Sequence, residues 1–122
     1  MVDVTIRISE VIKSGICVTS EDGQKVYGVL YKEIGNGNRV ALSFSGVTRM
    51  TTAFLNAAVG QLYGELPESE VRRHMLPPVD SESWHLVRLK LVIDRAKQYF
   101  SDKERYSKIL NEEIGAEKNE YH

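Results

Sequence analysis

"RVALSFSGVTRMTTAFLNAAVGQLYG", residues 39–64, decides the fold. In its opening strand Val40, Leu42 and Phe44 point one way, and the small Ala41, Ser43 and Ser45 point the other. Large residues on one face and small ones on the other predict a central strand covered by helices. "SGVT", 45–48, reads as a tight turn. From Thr51 the period becomes helical, with Leu55, Ala58, Val59, Leu62 and Leu66 in one stripe. Ala57, Gly60 and Gly64 would let another element approach the backbone. Glycine inside a helix costs about 1 kcal/mol against alanine, so close packing on the sheet is the expected compensation. The helix opens on two hydroxyls, Thr51 and Thr52. Either can cap it by accepting an N–H bond, and a hydroxyl there can also take a phosphate worth about -1.5 to -2 charges.

Before this stretch, "VTIRI" alternates apolar and polar over 4–8 and predicts a strand; "ICV", 16–18, predicts a short extended piece. "TSEDGQKVYGVLYKEIGNGN" predicts a helix capped by Thr19 or Ser20. Val26, Leu30 and Ile34 form its buried stripe, Tyr27 joins that face, and "GNGN" stops it. After the stretch, "PESEVRRHMLPPVD" admits a helical turn at 68–74 or an edge strand at 71–76 ended by Pro77 and Pro78. The strand–helix alternation favours the strand. A helix capped by Asp80 or Ser81 follows to Phe100, with Leu86, Leu89, Ile93, Ala96 and Phe100 as its stripe and Trp84, Val87, Leu91 and Val92 widening it. "SDKE", 101–104, has capping-box spacing and predicts a kink or a new helix start. A last helix would carry Tyr106, Ile109, Leu110 and Ile114. The expected organisation is one α/β domain over 1–115, a mixed sheet of about four strands flanked by helices with a long C-terminal helix, and a disordered tail at 116–122.

Composition narrows the function. The chain has 122 residues, enough for one modest core, and a formal net charge of -1. That balance argues against a general grip on nucleic acid or an anionic membrane. No apolar run approaches the roughly 20 residues of a membrane span, and the first residues show no signal-peptide core. One cysteine, Cys17, cannot form an intramolecular disulfide and suggests a cytoplasmic setting. Its apolar "GICV" context reads as a buried structural thiol. His74, His85 and His122 show no metal-ligand spacing with each other or with Cys17. Phosphate-binding glycine motifs are missing, and the carboxylate pairs Glu21-Asp22 and Glu112-Glu113 read as caps or solvated faces. No catalytic activity, cofactor or metal is expected. A small enzyme with a site at the 48–56 rim is the minor alternative.

"VALSFSGVTRMTTAFLNAAVGQLY", together with "CVTSEDGQKVYGVLYKEI" before it, resembles STAS domains, the anti-sigma-factor-antagonist fold. It resembles more closely the bacterial STAS-like family of unknown function, whose members read as an apolar strand, "DFxGV", a short turn, "SF", then a helix. The resemblance covers 16–66 well and the remainder in element order. It implies a regulatory, non-enzymatic domain that docks an ATP-binding serine kinase of the histidine-kinase-like ATPase fold. In antagonists that kinase phosphorylates a hydroxyl at the helix start. By this resemblance Ser43 stands in the "DF" Asp position, Thr51 at a second Asp, and Thr52 at the first hydroxyl. Ala53 stands at the phosphoacceptor and Phe54 at a Gly. The acceptor itself is therefore absent. A surviving switch would use Thr52 or Thr51. The implied docking residues are Thr48, Arg49, Met50, Thr51, Thr52, Ala53, Phe54 and Asn56, with Phe54 as an anchor. Dimerisation through the 84–100 helix is the alternative the wide stripe suggests.

Overall fold

The structure, a computed structural model, describes residues 2–114, with side chains through 103 and at 105. The tail expected at 116–122 and the side chains of the last helical stripe, 106–114, lie outside the described residues.

β1 (Asp3–Arg7) and β3 (Arg39–Ser43) pair in parallel, Asp3 opposite Arg39 and Arg7 opposite Ser43. The guanidinium of Arg39 holds this register by gripping both Asp3 carboxylate oxygens, at 2.7 and 3.0 Å. On the other side of β3, Leu76 N–H donates to Val40 O and Val79 N–H to Leu42 O, so β3 is central as expected. Pro77 and Pro78 have no N–H to give, which limits this third strand to isolated parallel bridges. A second parallel ladder joins β2 (Ile16–Cys17) to β4 (Arg49–Met50). Among the described residues there are four strands, but every pairing is parallel and they form two ladders, not one mixed sheet. Parallel neighbours need long crossovers, and the helices between the strands supply them.

The first crossover holds an element the sequence reading did not foresee, α1 (Ile8–Ile12), which stops at Lys13 with a positive φ of 58°. α2 (Ser20–Gly35) is capped by Thr19, whose hydroxyl accepts from Asp22 N–H, and buries Val26, Leu30 and Ile34 as expected. α3 (Thr52–Leu55), a π-helical segment (Asn56–Gly60) and α4 (Leu62–Glu65) make the second helical run. It lies between α2 and the C-terminal helix α6 (Ser83–Ile114). Its small residues therefore admit helices and not the sheet. Ala57 meets Gly23 of α2, where an added Cβ would come within 2.4 Å of Phe54 O and 2.7 Å of the Ala57 Cβ. Gly60 faces Val92 and Ala96, and Gly64 faces the Phe100 ring.

Residues 68–74 are helix α5 (Glu68–His74), not the edge strand the alternation favoured. Val71 and Met75 are four apart, Glu68 pairs with Arg72 and Glu70 with His74 at the same spacing, and acids lead while bases trail. Each of these is a helical signature. The C-terminal helix begins at Ser83, not at a cap on Asp80 or Ser81. Its start is closed by His85, whose Nδ1 accepts from Glu82 N–H at 2.9 Å. Leu86, placed in the buried stripe from sequence, is exposed, and His85 takes part in the core instead. "SDKE" neither kinks nor restarts the helix: α6 contains no Gly or Pro, and Asp102 accepts from Gln98 and Arg105 along its surface. At 32 residues α6 runs for roughly 48 Å. Among the described residues no helix is long and apolar enough to cross a membrane.

Candidate functional site

The rim after β3 is built by one glycine and one shared carbonyl. Gly46 has φ 80°, which lets the chain turn so that Val47 N–H reaches Phe44 O at 3.0 Å. The chain then runs beside β2. Gly15 O accepts from both Thr48 N–H and Arg49 N–H, and Cys17 O accepts from Thr51 N–H. The expected turn at 45–48 is thus followed by a short strand, β4, between it and the helix, which the sequence did not lead us to expect.

Thr51 and Thr52 separate cleanly. Thr51 is the N-cap: its hydroxyl oxygen accepts from Phe54 N–H at 3.1 Å, and its hydroxyl hydrogen goes to Val18 O. Thr52 is exposed, and its hydroxyl has no hydrogen bond among the described residues. Thr48, Arg49, Ala53 and Asn56 are exposed beside it. Met50 and Phe54, expected on the docking surface, are in the core; Phe54 is 0% exposed and cannot anchor a partner. The helical period explains this, because Phe54 continues the stripe of Leu55 and Ala58 toward α2.

Two residues of α6 complete the rim. Arg88 donates to Met50 O and lies over the Trp84 ring, 5.5 Å from its centroid. With Val18, Thr48, Arg49, Met50 and Thr51 they line a groove of about 380 Å³. From sequence, Trp84 only widens the helix stripe. The i,i+4 spacing of Trp84 and Arg88 was the signal that could have joined them. His85 fixes this wall: its Nε2 lies 2.9 Å from Val47 O, and its ring stacks on Phe44. Because Nδ1 accepts from Glu82, Nε2 carries the proton that reaches Val47.

Ser43, at the end of β3, donates to the Asp80 carboxylate at 2.8 Å and accepts from Ser45 N–H. Asp80 reaches it from the loop before α6 with φ 54°. Cys17 is a free buried thiol whose pKa burial, and then the Asp22 charge, pushes up to about 11. A thiol held protonated is a poor nucleophile. Among the described residues no group of three or more His, Cys, Asp or Glu side chains could hold a metal ion.

No curated protein and no solved structure matches the chain. Residues 22–78 match the family described as a STAS-like domain of unknown function (DUF4325), a span running from the first turn of α2 through β3, the rim and α5 to Pro78. The parallel strands, the covering helices and the long C-terminal helix agree with that family. Over this segment, a little under half of the chain, the sequence is similar to the STAS-like domains of unknown function.

Proposed function

We propose that this STAS-like chain is a non-enzymatic regulatory module of the cytoplasm. It docks a protein partner through Thr48, Arg49, Thr52, Ala53 and Asn56, and the partner is an ATP-binding, kinase-like ATPase of the sort STAS antagonists engage. The observation that carries the reading is the exposed rim itself. These five residues stand together in solvent on a backbone held by β2, the Thr51 cap and Arg88. A rigid element presenting small and polar side chains suits recognition. A cytoplasmic setting accords with Cys17 as a free thiol.

The module docks without the phosphate switch of antagonists. Ala53 has no hydroxyl, and the Thr51 hydroxyl is already committed as donor and acceptor. Thr52 is the hydroxyl left open to a kinase. Co-purification with candidate kinase-like ATPases of the same genome, followed by intact mass after ATP addition, tests this. A stable complex with no phosphate gained is expected, and Ala53→Arg should abolish it. A phosphate that disappears in Thr52→Ala would restore the switch. Absence of any complex would sink the reading.

A second reading, pairing of two copies through α6, draws on Leu86, Val87 and Leu91, apolar residues exposed on that helix. Sedimentation of the free chain decides it: a dimer lost in Val87→Glu supports pairing, and a monomer removes it.

A further inference from the structure

Most arginines of this chain are neutralised at home. Arg7 faces Glu10, Arg39 faces Asp3, Arg72 faces Glu68, Arg73 faces Glu70 and Arg105 faces Asp102. Arg49, Arg88 and Arg95 have no carboxylate partner among the described residues, and all three line cavities along α6. Arg49 and Arg88 line the groove beside Thr48. Arg95 lines a second cavity of about 350 Å³, with Asn56, Gln61 and Tyr99. Among the described residues neither cavity has a carboxylate in its wall.

The spacing on α6 makes the two cavities one surface. Trp84, Arg88, Leu91, Arg95 and Tyr99 follow each other at steps of four, three, four and four, which keeps them on one helical face. Arg88 and Arg95 are two turns apart, about 10.5 Å. Apolar and cationic side chains alternate along this face, and Leu91 and Tyr99 are both exposed. An exposed cation attracts an anion only modestly in water, so a single small anion would be held weakly. A row of arginines between apolar surfaces suits a ligand that offers carboxylates and apolar groups at helical spacing. Residues 84–99 also lie outside the matched segment 22–78, so this wall belongs to the chain's own C-terminal helix.

We infer that the seam between α6 and the 48–61 segment seats an acidic amphipathic helix of the partner protein, its carboxylates on Arg49, Arg88 and Arg95 and its apolar side on Trp84, Leu91 and Tyr99. The inference rests on the docking reading above and names the chemistry that the partner brings to it.

The sole tryptophan, Trp84, lies in the groove and reports on its occupant. The full chain is titrated with a synthetic Glu/Leu amphipathic peptide of about four helical turns while Trp84 emission is followed. A saturable change is expected. Arg49→Glu and Arg95→Glu should each weaken it about tenfold, as should added salt. Among the described residues neither side chain holds a hydrogen bond, so these variants stay folded where Arg88→Glu would disturb Met50. Equal binding of the same peptide with Lys for Glu overturns the inference. So does full competition by inorganic phosphate, which would make the groove a small-anion site. A dimer of the free chain that Arg95→Glu dissociates also overturns it, because a second copy would then fill the seam. With the ATPase complex in hand the two ideas separate. Loss in Ala53→Arg but not in Arg95→Glu overturns the acidic helix and leaves docking standing. Loss in neither overturns docking itself.

Discussion

Ser43 on β3 and Asp80 before α6 share a 2.8 Å hydrogen bond, with the Ser43 side chain buried at 1% exposure. The bond joins the central strand to the loop that aims α6 at the rim. The resemblance drawn from the sequence would set an Asp at position 43; here a carboxylate arrives from position 80. Ser43→Asp alone should therefore set two carboxylates against each other and destabilise the fold by about 2–4 kcal/mol. Ser43→Asp with Asp80→Asn restores a donor opposite the acid and should recover most of the loss. Urea denaturation of both single variants and the double variant measures this as a coupling energy. Additive losses would show that the pair does not interact.

The two threonines at the helix start should differ in stability. Thr51→Ala removes the cap on Phe54 N–H and leaves Val18 O without its donor, for a loss of about 1–2 kcal/mol. Thr52→Ala touches no bond among the described residues and should stay within about 0.5 kcal/mol of the parent. Equal effects in thermal unfolding would contradict the cap assignment.

Two glycines of α2 should respond in opposite directions to alanine. At Gly23 the new methyl would meet the Phe54 carbonyl at 2.4 Å and force α2 away from the second helical run, a loss of about 1–3 kcal/mol. At Gly28 nothing lies within 4 Å, so alanine only improves the helix, by about 0.5–1 kcal/mol. Midpoints of chemical denaturation for the two variants should fall on either side of the parent's.

Cys17 sets an alkaline limit. Its thiol ionises near 9.0 when unfolded and is pushed to about 11 in the fold by burial and by Asp22. The unfolded chain then loses its proton first, so stability is full below pH 9 and falls as pH rises toward 11. Cys17→Ala should flatten that fall. The part due to Tyr27, held near 12 chiefly by burial and then by the Glu65 charge, remains at higher pH. The native thiol should also resist alkylation at pH 8 until denaturant is added. Rapid native labelling would contradict the buried, protonated state.

Local chemistry was enough for much of this protein. The central strand from Arg39, a hydroxyl cap at each helix start and the Val26, Leu30, Ile34 stripe each depend on residues within a few positions of one another; the strand and stripe appear as expected, and of the caps offered the structure takes Thr19 and Thr51. Even the helix at 68–74 was written locally, in the Glu68–Arg72 and Glu70–His74 spacings that the strand reading passed over. Tertiary structure alone decided what the rim presents. Phe54 turned inward because α2 packs on the helical run that carries it, and no local pattern states which face a neighbour will cover. Arg88 reached Met50, and His85 reached Val47, across a separation of 38 residues. The groove exists because β2, β4 and α6 meet there, and that meeting depends on packing between elements distant in the chain.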